Sequence, residues 1–179
     1  MRNCLNRHGP VACKLKVYDM RGEYGPSLSK ALETQKSVSP EHAKFLDRRL
    51  QTADAAELTF LDDIAELILK LFPQGIEELA EDYSWLCKQQ IEEELYFRRN
   101  KRYRLSTFQE ALKAVYSDRE YMTKYMNGLL MTQLWWSNHS SVMQYYADTY
   151  LSSLKPLARI LEIGPGHGLL SYMAGEPPN

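Results

Sequence analysis

The chain has 179 residues, 44% of them apolar and 25% charged, with a formal net charge of −1. That is enough chain for one domain with a real core, or one domain plus a fragment. It gives no global electrostatic case for nucleic acid or an anionic membrane. Three cysteines, Cys4, Cys13 and Cys87, are too few and odd in number for a disulfide framework, and they suit a reducing, cytoplasmic setting. The first eight residues contain no apolar core of signal-peptide length. No run approaches the ~18 apolar residues of a membrane span.

Residues 1–26 read as an irregular N-terminal segment. Val11 to Val17 alternates weakly, and Gly22, Gly25 and Pro26 mark a turn. Cys4, His8 and Cys13 raise the question of a metal. They supply three ligands at an unusual spacing where a structural zinc site wants four, so no metal site is assigned.

Residues 27–155 read as a multi-helix domain. Ser39 and Pro40 offer an N-cap hydroxyl and a proline at the first helical position, for a helix to about Leu50. A second helix begins near Asp54, where Leu58, Leu61, Ile64, Ala65, Ile68, Leu71 and Phe72 form one apolar stripe ended by Pro73 and Gly75. The next spans Ile76 to Arg99, with Tyr83, Cys87, Ile91 and Leu95 on one face. Its acids cluster at the start and Arg98 and Arg99 at the end, as the macrodipole favours.

The basic stretch Arg98 to Arg104 has aromatic neighbours, as nucleic-acid stacking sites do. Glu92, Glu93 and Glu94 sit just upstream, and Glu94 and Arg98 have i,i+4 spacing. A solvated helix end is the better account, and no nucleic-acid partner is assigned. Capping boxes at Ser106–Gln109 and Ser117–Glu120 predict two more helix starts. A turn near Ser137 and Asn138 precedes a last helix from about His139 to Leu154.

The segment from Tyr121 to Tyr150 is rich in Tyr, Met and Trp. Such residues fill cores and helix interfaces. They also suit an aromatic-lined chamber, which makes Tyr121, Tyr125, Trp135 and Asn138 candidate substrate-binding residues. His139, at a helix start among polar residues, is either a capping histidine or a general base for an acceptor hydroxyl.

Residues 156–179 change character. Ile160, Leu161 and Ile163 suit a buried strand, and three glycines then alternate with Pro165 and His167. Leu169 to Ala174 follow without a breaker and open a helix. The dinucleotide fingerprint needs its third glycine one residue later, and a P-loop needs Lys-Ser/Thr after its last glycine. Neither fits. The pattern Glu162-x-Gly164-Pro165-Gly166-x-Gly168 instead resembles the first motif of the class I S-adenosylmethionine (SAM) methyltransferases.

The resemblance covers residues 159–174. It implies a fold that is mainly α at first, leading into the first strand and glycine turn of a Rossmann-like α/β domain. It implies SAM as cofactor, with Glu162 holding its ammonium group and Gly164, Pro165, Gly166 and Gly168 against its methionine part. At His167, inside that turn, the backbone is expected to matter more than the ring. The acid that grips the cofactor ribose lies about 20 residues beyond such glycines. The chain therefore reads as the N-terminal part of a methyltransferase for a small-molecule acceptor. Its helices would serve as lid, homodimerisation unit or both. A stand-alone helical interaction module without catalytic activity is the alternative.

Overall fold

The computed structural model describes residues 24–72, 75–155 and 157–175, and among these it is built from helices alone. Cys4, His8 and Cys13, for which no metal site is assigned, lie outside the described residues. Among those described, no cluster of ligating side chains could hold a metal, and no helix is long and apolar enough to cross a membrane.

Helix α1 (Pro26–Val38) starts with Pro26 in its first turn, where a missing N–H costs nothing. Its own N-cap, Gly25, has no side chain to offer. Asp62, from a helix more than thirty residues on, supplies the acceptor instead. Its buried Oδ1 accepts from Ser27 N at 3.0 Å and Leu28 N at 2.9 Å. A Cβ at Gly25 would lie 2.1 Å from the Asp62 Cγ, so the absence of a side chain at Gly25 is what admits the carboxylate.

Pro40–His42 forms a 3-10 turn that leads into α2 (Ala43–Gln51). Ser39 does not cap it as its sequence position suggested; the Ser39 hydroxyl is hydrogen-bonded to the Ser84 hydroxyl. Helix α3 (Ala55–Leu71) begins where expected, with Asp54 Oδ1 accepting from Glu57 N at 2.8 Å.

Helix α4 (Ile76–Asn100) follows Gly75, whose φ of 129° is open to glycine. Its first half is core. Ile76, Leu79, Ala80, Tyr83 and Leu86 are buried. Its second half leaves the core, so the face read as one stripe is buried at Tyr83 but exposed at Ile91 (56%) and Leu95 (45%).

The two expected helix caps are each displaced by one residue, and only the first is a reciprocal box. Thr107, not Ser106, caps α5 (Phe108–Ala111), in a reciprocal box with Glu110. Asp118, not Ser117, caps α6 (Arg119–Trp135), accepting from Tyr121 N at 3.0 Å. In both places the cap's side-chain oxygen accepts from the N–H three residues on. A π-helical turn, Leu112–Tyr116, follows α5. Helix α7 (Ser137–Tyr145) starts two residues before His139 and ends in a second π-helical turn, Tyr146–Leu151.

The most extensive helix–helix interface joins α4 to α6. At its centre is Gly128, where a Cβ would lie 2.8 Å from both the Asp82 carbonyl oxygen and the Leu86 Cβ. Asn127 Nδ2 donates to Asp82 Oδ2 at 2.8 Å beside it. The core gathers Leu28, Leu46, Leu61, Tyr83, Leu134 and Trp135 from five helices.

The expected strand is not seen. Among the described residues there is no β-strand. Leu161 is 84% exposed and Ile163 88%. A strand needs a neighbour to pair with, and the described residues offer none at this stretch. The coarse expectation, a mainly α chain, holds. Helix α8 (Leu169–Gly175) does follow the glycine turn, and Leu169 is buried in the core.

Gly128→Ala should lower stability. Alanine's helix preference is worth at most about 1 kcal/mol, whereas wedging two backbones apart costs about 1–3 kcal/mol. A urea unfolding midpoint shifted down, with an unchanged slope, is the expected outcome.

Candidate functional site around the glycine turn

The turn from Glu162 to Gly168 has the backbone its glycines predict. Gly164, Gly166 and Gly168 take φ values of 71°, 56° and 79°, all left-handed and all open to glycine at little cost. Gly168 N donates to the Pro165 carbonyl at 2.8 Å, and Tyr172 N to the Gly168 carbonyl at 3.0 Å, which starts α8. A Cβ at Gly164 or Gly168 would meet nothing within 4 Å, and one at Gly166 only Leu129 Cδ2 at 3.8 Å. The outer face of the turn is therefore open for close approach to its backbone.

Three contacts hold the turn to the helices. Leu169 is 2% exposed, with Leu170 and Met173 packed beside it. The Tyr146 hydroxyl donates to the Leu170 carbonyl at 3.2 Å. The Ser171 hydroxyl donates to Glu162 Oε2, tying the acid to the helix that follows it.

His167 departs from expectation, because its ring takes part. Its Nδ1 accepts from Leu169 N at 3.2 Å, so the neutral ring carries its proton on Nε2. Burial is the main influence on this imidazole and pulls its pKa below the ordinary value. Nearby Glu162 opposes that pull, and His139 reinforces it. Tyr146 is pushed up by burial first and then by Glu162 and Tyr150. Glu162, His167, Tyr146 and His139 thus share one electrostatic neighbourhood.

His139 sits in the first turn of α7. Its Nδ1 is 2.7 Å from Thr132 Oγ1, and the Thr132 hydroxyl is 2.6 Å from the Leu129 carbonyl. Two neighbours meet Nδ1: the Gln133 amide nitrogen at 3.3 Å, which can only donate to it, and Thr132 Oγ1, which can accept from it; the second arrangement leaves Nε2 the lone pair a general base needs. Trp136 packs edge-on against the ring at 5.0 Å between centroids. Burial lowers the His139 pKa, so the ring is neutral at neutral pH.

The structure separates the remaining candidates. Trp135 and Asn138 line a cleft of about 410 Å3 together with Arg48 and Arg49 of α2. Tyr121 and Tyr125 lie elsewhere. Tyr121 packs edge-on against Trp85 at 5.0 Å, and its hydroxyl is pushed up by burial, Tyr125 and Glu93. At 1.5 Å per residue Tyr121 is roughly 20 Å along α6 from Trp135, so these two tyrosines do not share a site with the cleft. Arg48 and Arg49 carry no sequence expectation of a role. Arg49 falls three residues after Leu46 and one before Leu50, on the apolar face of α2, and that register is the signal for it.

Two residues of the basic stretch have local partners. Arg98 pairs with Glu94, Arg104 Nε with Glu93 at 2.6 Å, and the Arg104 guanidinium lies 4.2 Å from the centre of the Tyr96 ring. Cys87 is half-buried, and burial raises its thiol pKa, which makes it a poor nucleophile. No protein-family model, curated protein or solved structure matches this chain.

The histidine shifts carry a pH dependence of known sign. Both folded pKa values lie below the ordinary 6.5, so between them and 6.5 the unfolded chain binds more protons. Stability should be full above pH 6.5 and fall as pH drops through that window. Urea midpoints at about pH 7.5 and about pH 5.5 test this, and a His139→Gln/His167→Gln double variant should show a smaller difference.

Proposed function

We propose that this chain supplies the glycine turn and helical cover of a SAM-dependent methyltransferase acting on a small-molecule acceptor. One observation carries the reading: three left-handed glycines directly after Glu162, open on their outer face and seated over Leu129 of α6. The residues suit that cofactor. A carboxylate answers its ammonium and sulfonium charges, and a lysine-free glycine turn suits a ligand without phosphates. When bound, SAM supplies an electrophilic methyl group.

The chain's own residues then have distinct tasks. Glu162 receives the ammonium group, oriented by Ser171. The backbone at Gly164, Pro165, Gly166 and Gly168 lies against the methionine part. His139, neutral and held by Thr132, takes the proton of an acceptor hydroxyl through Nε2. Where the acceptor is already nucleophilic, alignment alone supplies much of the rate. The whole natural protein is expected to bind S-adenosylhomocysteine in calorimetric titration. Gly166→Val should abolish binding while the helical circular dichroism stays unchanged, and Glu162→Gln should weaken it about tenfold, or ~1.4 kcal/mol. Equal binding by wild type and Gly166→Val refutes the reading.

A second reading, a helical module that pairs with a second copy of itself, is favoured by the far half of α4, by α5 and by the π-helical turn after it. Ile91, Leu95, Phe108 and Leu112 are all exposed there. An acidic block (Glu92, Glu93, Glu94) adjoins a basic one (Arg98, Arg99), so two antiparallel copies are self-complementary in charge. Light scattering should then give about twice 20.8 kDa. An Ile91→Glu/Leu95→Glu variant should return to one chain mass. A wild-type monomer at all concentrations removes this reading.

A further inference from the structure

A neutral histidine is a base at one ring nitrogen only, and which one depends on where its single proton sits. At His139 the contacts of Nδ1 decide this. Thr132 Oγ1 lies 2.7 Å from Nδ1 and Gln133 Nε2 lies 3.3 Å from it. The Leu129 carbonyl oxygen is 2.6 Å from Thr132 Oγ1 and 3.2 Å from Gln133 Nε2. Thr132 is fully buried, so bulk water does not compete for its oxygen.

Counting protons leaves one arrangement. Two oxygens 2.6 Å apart repel unless a proton lies between them, and a carbonyl has none to give. The Thr132 proton therefore goes to Leu129. Thr132 then has nothing to donate to His139, and its 2.7 Å contact is a hydrogen bond only when Nδ1 carries the ring proton. Gln133 brings two protons, and the Leu129 carbonyl and Thr132 Oγ1, at 3.2 Å and 3.3 Å, can take both. The opposite tautomer fails whichever neighbour donates to a bare Nδ1. A proton from Thr132 strips the 2.6 Å contact with Leu129, and one from Gln133 leaves the 2.7 Å contact with Thr132 unprotonated. The backbone keeps hydroxyl and ring in place: Trp136 N donates to the Thr132 carbonyl and His139 N to the Trp136 carbonyl, both at 2.9 Å.

We infer that Thr132 is a positioning residue that sets the His139 tautomer, taking the Nδ1 proton and leaving the lone pair on Nε2, which has no partner among the described residues. Gln133, the next residue, can only donate, and it imposes the opposite tautomer where the hydroxyl is missing. The use of the Nε2 lone pair on an acceptor hydroxyl rests on the methyl transfer proposed above, whereas the tautomer stands on these contacts alone.

The test is long-range 1H–15N correlation spectroscopy of the full chain, labelled on the histidine rings, at about pH 7.5, where this ring is neutral. No cofactor or acceptor takes part, so the outcome is independent of SAM binding. The His139 signals are identified by their loss in His139→Gln. The wild type should show Nδ1 protonated and Nε2 bare. Thr132→Val keeps the shape of the side chain without its oxygen, so the two 15N signals should exchange character. Thr132→Ser and Gln133→Leu should both keep the wild-type pattern. A wild-type ring protonated on Nε2, averaged signals from both tautomers, or an unchanged tautomer in folded Thr132→Val would overturn the inference.

Discussion

The approach of α6 to α4 at Gly128 governs the position of everything chemical in this fold. With no side chain at the crossing, the α6 backbone comes against the Asp82 carbonyl and the Leu86 side chain. That depth continues along α6 to Trp135, which is fully buried. It also sets Trp136 Nε1 3.1 Å from the Tyr83 hydroxyl, across the same helix pair. The elbow between α6 and α7 is therefore pinned on its core side. The elbow holds His139, which acts electrostatically on His167 of the glycine turn, and it lines the cleft through Trp135, Trp136 and Asn138. Both sites inherit their geometry from a single missing methyl group.

Around this crossing the core is held in register by buried polar clamps. Asp62 receives the first N–H groups of α1. Gln35 Nε2 donates across to the Ala80 carbonyl and the Ser84 hydroxyl, both at 3.1 Å. Arg49 joins α2 to α3 and α7 through Glu57 and Ser140. Apolar side chains slide past one another at small cost, but each of these groups loses a directional partner if its helix turns or shifts. The clamps fix which face each helix presents, and the apolar contacts supply the cohesion.

Much of the helical layout is legible in the sequence because it follows from local rules. The stripe from Leu58 to Phe72 and the acid-to-base order along α4 correspond to the helices found. The caps fall one residue from their expected places, since Ser106 with Thr107 and Ser117 with Asp118 each offer two acceptors side by side, and only backbone geometry selects between them. The stripe Tyr83–Cys87–Ile91–Leu95 shows a deeper limit. Periodicity marks a face but not where its cover ends. Asp62 and Arg49 are hidden in the sequence for a related reason. Beside Asp63 and Arg48, each looks like one of a solvated pair, and only helix–helix packing separates the buried member from the exposed one. At the glycine turn the backbone is legible, because spacing of glycines is a local signal. The pairing of Ile160 to Ile163 is not, because pairing is a property of two segments.

Helix α4 is covalently one rod but mechanically two. Its first half is walled in by α1 and α6, so its amides can meet water only when those helices part. Beyond Cys87 the same hydrogen-bond ladder runs through almost continuously exposed residues. There the rod is braced by side-chain ties: Arg104 on Glu93 and Tyr96, and Phe97 stacked on Tyr103 at 4.8 Å. Those ties break one at a time, without disturbing the core. The two halves thus have different opening free energies within one continuous helix. The far half can unwind, bend or dock while the half that shapes the elbow stays fixed.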